Sequence, residues 1–350
     1  MGDATETNRM RRVTIRDIAS QAGVSKGAVS YALNGRPGVS EETRERIVSI
    51  ARELGWYPNR AARALSAARA DAFGLVLARP ATTIALEPFF MQFLAGVERE
   101  LSDRSIGLTI QLAPTVEDEI AVYRRWYGEH RVDGVFLFDP RHDDPRFDAL
   151  IELDLPTVVI GGPLGHARLP SVWHEEAPVV DEAVRYLATL GHRRIAYVAG
   201  VAEFVHSERR AGAFHDAARE TNVQAEVVWT DYTPTVGARE TRRLLTGPKP
   251  PTAILFDSDL LAVTGLGVAH RMGLTVPGDL SIIGWDDSLI SQVVHPPLTA
   301  ITRDIVGYGM TTARHLVQVA DGTAEGDVEV ARGELTLRGS VAPPREARPR

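Results

Sequence analysis

Residue types that do covalent or metal chemistry are thinly spread along this chain. Cys is absent, which excludes thiolate metal sites, disulfides and Cys nucleophiles. The ten His show no metal-ligand spacing, and neither HExxH nor GxSxG nor GxxxxGK[ST] occurs. GLGVAH, Gly265 to His270, resembles a fragment of a dinucleotide fingerprint, but it falls inside a predicted helix instead of a strand-to-helix turn. No catalytic residue, metal or cofactor is therefore expected. Two other residues suit reversible binding. Arg209 in ERRAGAF lies on the first turn of a helix predicted from Ser207 to Glu220, just after the strand RIAYVAG, where a guanidinium can fork onto two acceptors. Its neighbour Arg210 is expected at the surface. Asp286 directly follows the strand LSIIG, where a carboxylate facing a cleft can accept two sugar hydroxyls. An Arg209–Asp286 ion pair is an alternative compatible with that role.

The elements that would position them form an α/β pattern. From Phe73 buried strands alternate with helices: FGLVLA, LTIQLA, DGVFLF and PTVVIGG, then RIAYVAG, AEVVWT, AILFDS and LSIIGWDD, the second series opening with a helix from Glu182 to Leu190. Two doubly wound parallel-sheet lobes follow, each with a ligand-facing edge at its strand carboxyl ends. Ahead of them, TIRDIASQAGVSKGAVSYALNG spaces Ile15, Ile18, Ala19 and Ala22 at helical period and stops at Gly23, which supplies a turn; Val24 plugs a small core and Ser25 caps a second helix. Ser40 caps a third helix carrying Ile47, Ile50, Ala51 and Leu54. This is the pattern of an all-α helix-turn-helix head.

Charge divides the same way. The formal net charge is −7, yet residues 1–70 hold 12 Lys and Arg against 7 Asp and Glu, so a basic head precedes an acidic body. That suits a DNA-reading module on a core that avoids DNA. No apolar run in residues 1–12 could serve as a signal peptide, and no stretch is long enough to span a membrane, so a cytoplasmic protein without membrane partners is expected.

The segments VTIRDIASQAGVS, VSEETRERI, LGWYPNRAARAL, LGHRRIAYVAG, SDLLAVTGLGVAHRMGLTVPGDLSIIGWDDS and LTLRGS come in the order of the lactose-repressor (LacI/GalR) family, and the resemblance covers nearly the whole chain. It implies a sequence-specific regulator, a repressor, working as a homodimer on a palindromic double-stranded DNA operator under control of a small-molecule effector. A sugar suits the effector best, with a purine or other polar metabolite as the alternative. By that resemblance Lys26, Gly27 and Tyr31 read bases, Gly27 without a side chain to do so. Thr14, Ser25, Asn34, Asn59 and Arg60 would clamp phosphates, and Leu65 would wedge into the minor groove. Phe89, Phe90, Tyr232 and Trp285 would wall the effector site in a periplasmic-binding-protein-like core, although aromatics near strand ends also serve as plain core.

Ser258 stands where Asn is usual, and Asp259 is expected to cap the helix from Leu260. His174 stands where Asp is common, either altering the hydroxyl pattern recognised or facing solvent. The implied layout is a flexible N-terminus at 1–12, a DNA-binding domain at 13–58, a hinge helix at 59–70, a core at 71–340 and a disordered tail at 341–350. Lobes of 71–172 with 301–332 and of 173–299 with 333–340 would be joined by crossings near 170–173, 298–302 and 332–335. An enzyme, a transport-only solute-binding protein and a protein-binding helical adaptor are the rivals.

Overall fold

The structure, a computed structural model, describes residues 13–56, 69–79, 81–165 and 168–345. Contacts divide the chain into a unit ending at Arg69 and one beginning at Ala70. Three helices build the first: α1 (Ile15–Ala22), α2 (Lys26–Leu33) and α3 (Glu41–Glu53). Gly23, at φ 66°, takes the left-handed conformation that lets the chain reverse between α1 and α2. Ser25 then accepts the Ala28 N–H at 3.1 Å and Ser40 the Thr43 N–H at 3.4 Å, each satisfying a donor that the following helix leaves open. Ile18, Ala19, Ala22, Val29, Ala32, Ile47 and Ala51 form the small core, with Val24 packed against it.

The second unit contains two six-stranded sheets. The first is ordered β11-β5-β4-β3-β1-β2, with β1 Ala72–Leu77, β2 Gly107–Leu112, β3 Val135–Leu137, β4 Thr157–Ile160, β5 Ser171–His174 and β11 Val328–Val330, all pairs parallel. The second is ordered β12-β10-β9-β8-β6-β7, with β6 Arg194–Ala199, β7 Gln224–Trp229, β8 Ala253–Phe256, β9 Ser281–Asp286, β10 Thr299–Thr302 and β12 Glu334–Thr336. Here only β12 is antiparallel, at the edge beside β10. Strands β1, β3, β4, β8 and β9 are buried throughout, because helices cover both faces of each sheet.

The chain crosses between lobes after β5, after β10 and between β11 and β12. The first two expected crossings, 170–173 and 298–302, are instead the strands β5 and β10, whose SVWH and TAIT lack the continuous apolar run that marks β3, β4 and β8. The helix expected from Glu182 begins earlier, at Ala177, with Pro178 in its first turn. Residues 341–345, expected in a disordered tail, pack on the second lobe: the Ala342 carbonyl faces His192 Nε2 at 3.0 Å and accepts from Ser281 Oγ at 3.1 Å, and Arg345 pairs with Asp279 at 3.0 Å.

Two helices of the first lobe, α5 (Pro88–Ser102) and α13 (Ile305–Ala320), pack backbone to backbone. Gly96 and Gly309 make this possible, since a Cβ at Gly96 would lie 2.0 Å from the Val306 carbonyl oxygen and one at Gly309 would lie 2.2 Å from that of Phe93.

Candidate ligand cleft and nucleic-acid interface

Between the two sheets lies a cavity of about 730 Å³, solvent at its mouth included. Its polar wall is built at strand carboxyl ends, where loops diverge and ligands have room. Arg79 follows β1, Asp139 follows β3, Gly161 and Gly162 follow β4, and His174 ends β5; from the other lobe come Asp257 and Ser258 after β8 and Asp286 at the end of β9. Phe89 and Phe90 come from the first turn of α5.

The charged groups of this wall hold one another. Arg79 forks onto both oxygens of Asp139 at 2.6 and 2.7 Å, and its guanidinium carbon stands 4.8 Å from the ring centroids of both Phe204 and Tyr232 in the opposite lobe. Arg210 joins Asp257, at 2.7 Å, to Glu176. Arg303 joins Asp286, Nε to Oδ1 at 2.7 Å, to the same Glu176 at 3.2 Å. Burial alone would raise the Glu176 carboxyl, but Arg210 and Arg303 outweigh it and hold it at about 2. His206 faces the Tyr232 hydroxyl at 3.1 Å; burial, and then Arg210, push its imidazole down to about 4, so it is neutral near pH 7. Tyr232 donates to Asp257 at 2.5 Å, and a Cβ at Gly200 would overlap its ring, which fixes the phenol in place. Fixed donors, fixed acceptors and aromatic faces can hold a polar ring compound. Among the described residues no cluster of His, Asp and Glu could hold a metal ion.

In the first unit the solvent face of α2 carries Lys26, Gly27 and Tyr31, all exposed. A Cβ at Gly27 would meet nothing closer than Ser25 Oγ at 3.7 Å, and the Tyr31 ring lies against Gly38. At the start of α1, Asp17 Oδ2 accepts both the Thr14 N–H and the Thr14 hydroxyl, at 2.8 and 2.7 Å. Asn34 ends α2 and donates from Nδ2 to the Ser30 carbonyl at 2.9 Å.

Residues 14–59 match the family described as bacterial regulatory proteins, lacI family, and residues 184–341 match a periplasmic binding protein-like domain. The transcriptional regulator AglR of Rhizobium meliloti is 33% identical over 341 residues, covering 95% of each chain, and the regulator CelR of Thermobifida fusca is 32% identical over 320 residues, covering 88% of this chain and 92% of its own. The chain belongs to the LacI family of bacterial regulatory proteins. Among solved structures, this LacI-family chain is similar to the lac repressor dimer bound to operator and the anti-inducer ONPF, with a TM-score of 0.80, 26% identity and coverage of 95% and 100%. A CelR–cellobiose complex gives a TM-score of 0.72 at 30% identity, covering 94% and 100%.

Of the expected cleft residues, Phe89, Phe90, Arg209, Tyr232 and Asp286 all line the cavity. Trp285 does not. It is fully buried beneath Arg210, whose guanidinium carbon stands 4.1 Å from its ring, so it supports a wall residue from behind. Arg210 itself is not at the surface: 5% exposed, it is the central cation of the wall, whereas Arg209 is exposed at the mouth and donates to the Gly162 carbonyl. The helix carrying both starts at Val205, which places Arg209 in the second turn. Asp286 pairs with Arg303, not with Arg209.

Ser258 is the helix cap, accepting the Leu261 N–H at 3.2 Å, while Asp259 instead accepts the N–H groups of Trp285 at 3.1 Å and Ser288 at 2.5 Å. His174 is 7% exposed and faces the cavity. Sequence reading missed Arg79, Glu87, Asp139, Glu176, His206, Asp257, Arg303 and Tyr308. Three of them carried the signal that found Asp286, a charge within two residues of the end of an apolar strand: Arg79 after AFGLVL, Asp139 after VFL and Asp257 after AILF. Asn59, Arg60 and Leu65 lie outside the described residues.

Proposed function

We propose that the chain is a transcriptional repressor that binds a palindromic DNA operator as a homodimer, with operator affinity controlled by a sugar held between the core lobes. The observation that carries this reading is the cavity itself: both lobes contribute to one wall, so a ligand there touches both and favours one relative orientation of them. The lobes already meet beside it, the Val205 N–H donating to the Pro140 carbonyl at 2.9 Å. The relatives support the ligand class, since one solved relative is a CelR–cellobiose complex and another is a repressor on its operator. In the head, Lys26 would donate to guanine O6 or N7 and Tyr31 would reach a thymine methyl or a phosphate, with Thr14, Ser25, Asn34, Asn59 and Arg60 on phosphates and Leu65 in the minor groove.

The test is selection of bound sequences from a random DNA library at two salt concentrations, followed by a sugar screen on the selected site. A palindrome whose enrichment falls steeply with salt, and whose complex responds to a sugar, is expected. No enrichment, with or without metabolite pools, would favour a protein-binding adaptor.

A further inference from the structure

Three buried polar atoms of the described cavity-lining residues have no partner: Nε2 of His174, Oε2 of Glu87 and Nε of Arg210, whose other guanidinium nitrogens hold Asp257 and Glu176. His174 Nδ1 lies 2.8 Å from the Ala331 carbonyl, which assigns the proton to that nitrogen and leaves Nε2 as a bare lone pair. Burial first, then Arg303, hold the imidazole down at about 4, so His174 is an acceptor at neutral pH. Its ring is fixed edge-on against Tyr308 with centroids 4.4 Å apart.

Glu87, 5% exposed, immediately precedes α5 in the first lobe and faces the acidic strand end of the second. Burial first, then Asp286, raise its carboxyl to about 8; Asp259 acts in the same direction, and Ser258 and Arg79 pull against it. Glu87 is accordingly a hydroxyl donor near pH 7.

The interior disfavours an anion. Arg79, Arg210 and Arg303 are all committed, and among the described lining residues these three guanidiniums face Asp139, Glu176, Asp257 and Asp286 before Glu87 is counted. Arg209 stands outside this set, at the mouth. A carboxylate or phosphate buried past the mouth would meet more carboxylates than guanidiniums, each of those guanidiniums already paired, while Arg209, which no carboxylate of the described residues holds, stands at the mouth.

We infer, resting on the ligand-cleft reading above, that His174 and Glu87 determine specificity for an uncharged polyhydroxy ligand, one hydroxyl donating to His174 Nε2 and another oxygen meeting the Glu87 carboxyl. Each contact satisfies a polar atom that is otherwise buried unmet, and sugar acids and sugar phosphates are refused.

The test uses the full chain in thermal-shift and calorimetric titrations at pH 7. The probes are neutral mono- and disaccharides, cellobiose and maltose among them, with glucuronate, glucose 6-phosphate and glucosamine. At least one neutral sugar is expected to bind, with its acidic and phosphorylated counterparts weaker by about 30-fold or more. Raising the pH from 7 to 9 weakens the neutral sugar, because ionised Glu87 no longer donates. His174→Phe, which keeps a ring but no acceptor, costs about tenfold or more; Glu87→Ala does likewise, and Glu87→Gln recovers binding to within about threefold and abolishes the pH dependence.

An acidic sugar binding as well as the neutral one overturns the inference and leaves the cleft reading standing. Preference for glucosamine that is lost in Glu87→Gln overturns it in favour of an ionised Glu87 holding an ammonium group. Binding by no member of the panel, in protein that still shifts its DNA site, overturns both the inference and the sugar reading beneath it. The comparison of neutral with acidic sugars needs no variant, so a misfolded substitution cannot obscure it.

Discussion

The exposed face of α2 and the wall of the cleft, the two surfaces proposed for recognition, are built in opposite ways. Lys26, Gly27 and Tyr31 project from a helix whose packing is done by its other face, so each can change without disturbing the rest. In the cleft the buried charges interlock: Glu176 is shared by Arg210 and Arg303, and these in turn hold Asp257 and Asp286. A modular surface lets individual side chains be exchanged, whereas an interlocked one fixes geometry at the cost of tolerance.

The strongest challenge to that contrast is to cut the interlocked network at its centre. Arg210→Ala leaves buried Asp257 without a cation and Glu176 with Arg303 in place of two guanidiniums, and is expected to destabilise the core by about 3–5 kcal/mol in denaturant titration and to remove the effector response. Arg209→Ala, at the mouth, should abolish the response with little loss of stability. Equal destabilisation by the two would show that the wall is not organised around Arg210.

Acid dissects the same network. The folded-state value of Glu176, about 2, lies below its ordinary 4.5, so its contribution is complete above about pH 4.5 and is lost as the pH falls towards 2. That contribution is on the order of 3 kcal/mol. The stability gap between wild type and Glu176→Gln should therefore close across this window, and a gap independent of pH would mean that the carboxylate is not held by its guanidiniums.

On the modular side the expected effects are smaller and separable. Lys26→Ala should cost about 1–3 kcal/mol of operator affinity and relax preference at one base pair, with the melting temperature unchanged. Smallest of all, Gly27→Ala should raise head stability by up to about 1 kcal/mol, because it removes a glycine from the first turn of α2 where a Cβ would meet only Ser25 Oγ, at an ordinary 3.7 Å. A loss of stability at either position would show that the α2 face is coupled to the core behind it.

The same contrast explains what the sequence could reveal. Gly23, Ser25 and Ser40 act within a turn of their own positions, and the long apolar strands announce themselves, so the head and both sheets were legible. Strands β5 and β10 are four residues each and gain their order from neighbours distant in sequence. Adjacent helical residues point about 100° apart, and only the packing of the helix decided that Arg210 and not Arg209 turns inward. Trp285 and Asp286 likewise point to opposite faces of a strand buried on both, so the residue types could not say which faces the ligand.

The close approach of Gly96 and Gly309 has a mechanical meaning. Helix α5 carries Phe89 and Phe90 into the cleft, and α13 begins two residues after Arg303, just beyond a crossing between the lobes. With no side chain between them to act as a cushion, the two helices form a single beam that joins the aromatic wall to that crossing. A rotation there would reach the aromatic wall without slack.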